Sequence, residues 1–284
     1  MATRAAYFFC FALSAAALAA PGRAHAQSMG IRYDYVGSST LSGPGPATVD
    51  GAQGHLSIRA GYPLFAAEKR WVLVPGLGFD RVGTRLTGPT QEVVTYGFGA
   101  SLAVVRVLDE RWSLIAHAGV NHQSDLQGYD RRAWGASGTL IAGLKLGERE
   151  RLAFGFAVSY GQGRAIPAPI LRYSLWTELW AVDIQIPTAM RVGVRLHPDL
   201  DLGPEVRLGG GGATLYDLGV TLRTTVVSAG VGARYRVTGP VFVTAYVGTT
   251  LFHCAAVEDD DALSIRFDKA LAPVASVALQ LIPD

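Results

Sequence analysis

Charge is scarce in this chain of 284 residues: only 17% are Asp, Glu, Lys or Arg, against roughly 25% in an average soluble protein. Lysine is scarcer still, for beyond residue 26 only Lys69, Lys145 and Lys269 occur. A formal net charge of +2 offers no basic field for phosphates, which excludes a nucleic-acid partner. The two cysteines are Cys10 and Cys254. They cannot build an internal disulfide framework, so stability must come from backbone pairing and burial. His55, His117, His122, His197 and His253 show no ligand spacing, and no metal or cofactor is expected. Past residue 26 there is no unbroken run of 18 apolar residues, so no membrane helix is expected. Disorder is excluded by the opposite property, a hydrophobic content of 49%.

The first segment reads as an export signal. Arg4 supplies a positive start, Ala5 to Ala20 forms a near-continuous apolar run, and Pro21-Gly22-Arg23 breaks it. Ala24-His25-Ala26 then has the small-x-small form cut by signal peptidase. The run is shorter than the ~20 residues a bilayer helix needs. Residues 1–26 are therefore expected to be a signal peptide and 27–284 a single mature domain. Without Arg4 and Arg23 the 25 basic residues become 23, equal to the 23 acidic ones.

Within that domain the period is two. Trp112, Leu114, Ala116, Ala118 and Val120 alternate with Ser113, His117 and Gly119; Leu152, Phe154, Phe156, Val158 and Tyr160 alternate with Ala153, Gly155 and Ser159. Val227, Ala229, Val231, Ala233 and Tyr235 alternate in the same way with Ser228, Gly230, Gly232, Arg234 and Arg236. Successive side chains of a strand point to opposite faces. One face is thus large and apolar and the other small or polar. A soluble β-sandwich, the alternative in this class, would carry many charges on its outer face. The pattern fits better an all-β, single closed antiparallel transmembrane β-barrel, apolar toward lipid and polar within. Closure also removes the open sheet edge that hydrocarbon does not tolerate.

Connection lengths alternate too. Short polar turns fall at Ala67 to Arg70, Leu108 to Arg111 and Gly147 to Glu150; longer loops are expected at Ser38 to Gly54, Gly83 to Glu92 and Gln123 to Ala133. Periplasmic turns are short and outer loops long, which sets the orientation. About 15 strand-like runs are found, while single-chain bacterial barrels have even numbers. One run between Pro187 and Arg223 is expected to be half of a longer strand, giving about 14 strands, with 12 as the alternative.

Five stretches carry a resemblance: Gly119 to Asp125 (GVNHQSD), Asp130-Arg131-Arg132, Leu152 to Tyr160 (LAFGFAVSY), Ile166 to Tyr173 (IPAPILRY) and Trp180 to Pro187 (WAVDIQIP). Their order is similar to a family of outer-membrane β-barrel proteins of unknown function in diderm bacteria. The resemblance spans roughly Trp71 to Val247. It implies fold and location, namely a barrel in the outer membrane contacting its lipid, and assigns no activity.

Two groups of residues carry candidate chemistry. His122 and Ser124 are two apart on a strand and share a face, within reach of each other for proton transfer. The pair resembles the His-x-Ser motif of outer-membrane phospholipase A, with Asp125 or Asp130 as a possible orienting acid. A polar strand end entering an outer loop is the other reading. The second group is placed on the inner face: Asp183, Gln185, Arg191, Arg195, His197, Asp201, Glu205, Arg207, Arg234 and Arg236. Its arginines either form a constriction that favours anions or pair with Asp183, Asp201 and Glu205 and close the lumen. Gly209 to Gly212 reads as a flexible hairpin turn, and Glu258 to Asp261 as a solvated loop tip. The function expected is a passive pore for small solutes or a closed-lumen envelope protein, not an enzyme. The alternative is a lipid hydrolase using His122 and Ser124. Expected partners are outer-membrane lipid, the barrel assembly machinery, periplasmic chaperones and small solutes.

Overall fold

Alternating apolar residues become long strands here because each strand finds a partner on both sides. The computed structural model describes residues 28–281 apart from 43–47, 67–69, 88–90, 129–130, 162–163, 217–219, 259–263 and 270. The expected signal peptide thus lies outside the described residues, as do Asp130 and Asp259 to Asp261. In chain order the strands are β1 (Ser28–Ser42), β2 (Thr48–Gly61), β3 (Leu64–Ala66), β4 (Trp71–Thr87), β5 (Gln91–Val107), β6 (Trp112–Ser124), β7 (Trp134–Lys145) and β8 (Glu150–Gly161). They continue as β9 (Arg164–Trp176), β10 (Trp180–Ile186), β11 (Ala189–His197), β12 (Leu200–Leu215), β13 (Val220–Thr238), β14 (Val241–Glu258), β15 (Ser264–Lys269) and β16 (Pro273–Leu281). Among the described residues one 3-10 turn, Arg131–Ala133, precedes β7.

Sequential strands pair antiparallel, and the ring shuts where β16 pairs with both β14 and β1. Met29 faces Leu281 and Val36 faces Val274 across that seam. Two of the sixteen segments are continuations. β3 prolongs β2 along β4 after the break at Tyr62-Pro63, and β15 prolongs β16 along β14. The result is a closed barrel of 14 antiparallel strands. The count is as expected, but the interrupted strands lie elsewhere than between Pro187 and Arg223. That region holds β11, β12 and the start of β13.

The faces are inverted relative to a soluble protein. Leu77, Leu140, Phe156, Val231, Val247 and Val277 are exposed around the outside. Trp112 and Trp180 mark one rim of this band, and Trp134 and Tyr160 the other, as aromatic girdles do in outer-membrane barrels. Among the described residues no helix is long and apolar enough to cross a membrane; the strands do it. Short turns at 108–111, 146–149, 177–179, 198–199 and 239–240 share the rim that holds Ser28 and Leu281, which is the periplasmic one by the loop-length rule.

Several expected loops are strand instead. Ser38–Ser42 belongs to β1 and Thr48–Gly54 to β2, with a register shift between Val36 and Ser39. β4 runs on to Thr87 and β5 starts at Gln91. Paired backbone satisfies its own polar groups, so glycine-rich and polar sequence can stay in the ladder above the membrane. Gly209 to Gly212 is no hairpin turn: it lies inside β12, paired to Val226, Thr225, Thr224 and Arg223 of β13.

Candidate functional site: the lumen and its outer cap

The inner face encloses a cavity of about 1830 Å³. Its wall from β5 to β8 is lined by Ser101, Ile115, His117, Asn121, Ser137, Ile141 and Ala153, with Lys145 and Arg151 and the turn residues Asp109 to Arg111 at its periplasmic end. Paired charge is gathered on two other sectors. The first sector spans β9 to β13. Strand register brings Asp183 opposite Arg191, Arg191 opposite Glu205, and Asp201 between Arg195 and Arg234. Asp201 pairs with Arg191 and accepts from Arg234 Nε at 3.1 Å and Nη2 at 3.0 Å. Glu205 pairs with Arg207, whose guanidinium lies 4.0 Å over the buried Tyr246 ring. Arg172 Nε approaches Asp183 to 3.7 Å, and Ser174 Oγ donates to the same oxygen at 3.3 Å. Gly232 lies beneath Glu205; a Cβ there would occupy the position of its carboxylate. Arginine suits such a lattice because its planar fork keeps its charge and serves several acceptors.

Six residues of the expected inner-face set, Asp183, Gln185, Arg191, Glu205, Arg207 and Arg234, line the cavity together. Arg195, His197, Asp201 and Arg236 are not among the lining residues. Arg195 donates to the carbonyls of Thr177 at 2.8 Å and Pro198 at 2.6 Å, in the periplasmic turns. Arg236 is exposed and stacks 5.1 Å over Phe242. Strand parity puts both on the inner face but does not give their height, and both sit at the periplasmic rim.

The second charged sector was not read from the sequence. On β1, β2 and β4, Asp34 accepts from Arg32 at 2.8 Å, Asp80 accepts from Arg59 at 2.7 Å, and His55 Nε2 lies 3.1 Å from Asp80 Oδ1. All five line the cavity. The available signal was the alternation of Ile31, Tyr33 and Tyr35 with Arg32 and Asp34, which places both ions inside.

The outer mouth is spanned by the β12–β13 hairpin. β6 and β12 are six strands apart in the ring of 14, hence on opposite walls. Even so, Thr214 pairs with Ser124 in parallel. Asp125 holds this junction from three sides: its N–H donates to Thr214 O at 3.3 Å, its carboxylate accepts from Tyr216 N at 2.9 Å, and also from Gln127 N at 3.1 Å. The Tyr216 ring rests on Gly128, where a Cβ would lie 3.0 Å from Cγ. Thr95, Ser124, Ala133, Ala213, Thr214 and Leu215 are buried in or near this contact.

This arrangement corrects the reading of His122 and Ser124 as a candidate catalytic pair. Ser124 is fully buried, and its Oγ accepts from Leu126 N at 3.1 Å. His122 instead meets Trp134, ring to ring at 5.1 Å, and lies across from Phe98. A nucleophile must reach its substrate; this hydroxyl faces a strand junction. Asp125 joins the outer cap rather than orienting an imidazole.

Among curated proteins none matches the chain. Among solved structures, the chain is similar to an outer membrane channel from Pseudomonas putida F1, with 10% identity, a TM-score of 0.51, and coverage of 92% of this chain and 98% of that one. A Pseudomonas aeruginosa FadL homologue follows with 9% identity, a TM-score of 0.48 and 90% of each chain covered. At such identities the first likeness is one of fold, that of an outer-membrane barrel. A family model matches residues 91–275, more than half of the chain, and the protein belongs to that family, described as "Domain of unknown function (DUF6268)".

Proposed function

We propose that the barrel is an outer-membrane channel for small solutes, gated at its outer mouth by the β12–β13 hairpin. The observation that carries this reading is the cavity of about 1830 Å³ beneath a hairpin held across the mouth at Asp125. On this reading the paired arginines stay along the β9–β13 wall rather than across the lumen, which is supported by Asp201 meeting Arg191 and Arg234 of the two flanking strands and Glu205 meeting Arg207 of its own strand. Four arginines (172, 191, 207 and 234) stand there against three acids (183, 201 and 205), leaving a slight positive excess for ion preference. Support also comes from the fold, shared with a Pseudomonas putida F1 outer membrane channel.

Export belongs to the same proposal. Residues 1–26 act as the signal peptide, and the mature chain, starting at Gln27, passes by periplasmic chaperones to the barrel assembly machinery. Edman sequencing of protein from outer membranes should begin at Gln27 or be blocked by its cyclised form.

Conductance across a planar bilayer tests the channel. The native protein should open briefly and rarely, because the cap is held by hydrogen bonds to a carboxylate, worth about 1.5–3 kcal/mol in such settings. Asp125→Ala should raise open probability at least several-fold without altering heat-modifiable migration on a gel. Silence of both proteins, when correctly folded, would overturn the proposal.

A further inference from the structure

The wall of the barrel drops between β9 and β12. β10 has 7 residues and its hairpin partner β11 has 9. Seven residues extend about 23 Å along a strand and, at ~45° tilt, cross about 16 Å of bilayer. The apolar band of such barrels is about 25 Å tall. The flanking strands do not stop at that height. β9 pairs with β10 only as far as Leu171 and then runs on to Arg164. β12 meets the hairpin tip through Leu208 N–H to Thr188 O at 2.8 Å, then continues to Leu215. Among the described residues, no strand pairs with β9 on this side above Leu171, and β12 finds none before Thr214 meets Ser124.

An open edge in hydrocarbon strands its amide hydrogens, and this chain removes them on one side. Trp176 N–H donates to Arg149 O beside β8. Period-two geometry then aims even-numbered amides of β9 at β8 and odd-numbered ones at the gap. The odd residues above Leu171 are Pro169, Pro167 and Ala165. Two of the three have no hydrogen to donate, and no added strand can complete a ladder on that edge. The gap is therefore a fixed feature of the wall. On the opposite edge Gly209 to Gly212 contribute no side chains, and a Cβ at Gly209 or Gly211 would meet nothing within 4 Å.

The lumen reaches this gap. Ile170, Thr188, Ala189 and Leu208 to Gly212 all line the cavity. Phe156 and Val158 are exposed on the lipid side opposite Pro169 and Pro167. Parity thus sends the prolines outward and turns Ile166, Ala168 and Ile170 inward. The inner wall beside the gap is apolar, and charge begins one turn of alternation lower, at Arg172. An ion would lose its water on leaving by this route; an apolar molecule would not.

Resting on the channel reading above, we infer that the gap between β9 and β12 is a lateral portal through which small apolar solutes pass between the lumen and the outer leaflet. The cap over the mouth gives such a side route its purpose, since the axial path is blocked while the gap stays open.

Uptake of N-phenyl-1-naphthylamine by intact diderm cells tests it, because that dye fluoresces in lipid and is held back by a lipopolysaccharide leaflet. Cells making the native protein should take it up several-fold faster than vector controls. Gly211→Trp and Ile170→Trp, at equal surface amounts and with native heat-modifiable migration, should return uptake to the control rate. Their planar-bilayer conductance, read in parallel, should fall by a clearly smaller factor than uptake. Equal uptake by native and Trp proteins would overturn the portal and leave the channel standing. Loss of conductance in the native protein would strike the channel reading instead. Should the Trp proteins fail to fold, Gly211→Cys in a Cys254→Ser background decides the matter. It should react with both pyrene maleimide dissolved in the membrane and a water-soluble maleimide. Refusal of the membrane-dissolved reagent would overturn the portal.

Discussion

The half of the barrel from β1 to β8 and the half from β9 to β16 obey the same alternation rule, yet they use it differently. β4 to β8 are strands of 12 to 17 residues paired along nearly their whole length. In the other half strand length jumps from 7 in β10 to 19 in β13, prolines stand on an edge, and a hairpin leaves the wall to cross the mouth. Their ions differ as well. On β2 and β4 the Arg59 and Asp80 side chains are 56% and 21% exposed. On β11 to β13 Arg191, Asp201 and Arg234 are only 12%, 9% and 16% exposed. The ions of β2 and β4 thus stay partly solvated, while those of β11 to β13 form a buried lattice where the wall holds the short strands β10 and β11.

That contrast can be broken most directly at Asp201. Its removal leaves Arg191 and Arg234 buried beside a lost partner, and breaking a buried pair in this way costs about 3–5 kcal/mol. Asp201→Asn should lower stability by about 3 kcal/mol in urea unfolding from lipid vesicles. Asp80→Asn, in the exposed sector, should cost no more than about 1 kcal/mol. Equal losses would show that the two sectors are alike.

A lipid-facing charge comes next in size. Leu140→Arg, in the middle of the regular wall, should cost about 2–4 kcal/mol, the range for arginine at the bilayer midplane, and slow assembly as read by heat-modifiable migration. Val231→Arg should behave alike. Ile166→Arg, inward beside the gap, should fold as native. If Ile166→Arg proves as damaging as Leu140→Arg, the inner and outer faces of β9 have been assigned the wrong way round.

The smallest effect is expected at the β5–β6 turn of the regular half. Asp109 accepts from the amides of Trp112 and Arg111, both at 2.7 Å. Those bonds, Trp112 first, hold its carboxylate below its ordinary value of 3.8. A depressed folded-state pKa stabilises above the unfolded value and loses that contribution as pH falls through the lower one. Amide exchange at Trp112 should therefore gain speed, relative to the β7–β8 turn, only below about pH 4. An unchanged ratio down to about pH 2 would mean the cap contributes nothing.

Alternation made the fold legible, because a strand's two faces are fixed by residue parity alone. Leu152 to Tyr160 and Val227 to Tyr235 could be oriented without any knowledge of their neighbours. Parity also put Asp183, Arg191, Glu205, Arg207 and Arg234 on one inner surface. It says nothing of height along the barrel axis, which is why Arg195 and Arg236 were grouped with them and lie at the rim. Nor does it distinguish a glycine turn from a glycine strand: Gly209 to Gly212 stays in the ladder because β13 pairs with every one of its residues.

What the sequence by itself determined, then, is the class of protein: strands of period two, an apolar outside, a small and polar inside, and an even ring of about 14. Those follow from local stereochemistry and from the hydrogen-bonding demands of hydrocarbon, which every segment must meet alone. Only the tertiary structure decided that β12 reaches across to β6, that Ser124 is buried and Asp125 holds the cap, and that the prolines of β9 border a gap. Each of these depends on which distant strand stops short and which runs on, and therefore on pairing register, which no single segment encodes.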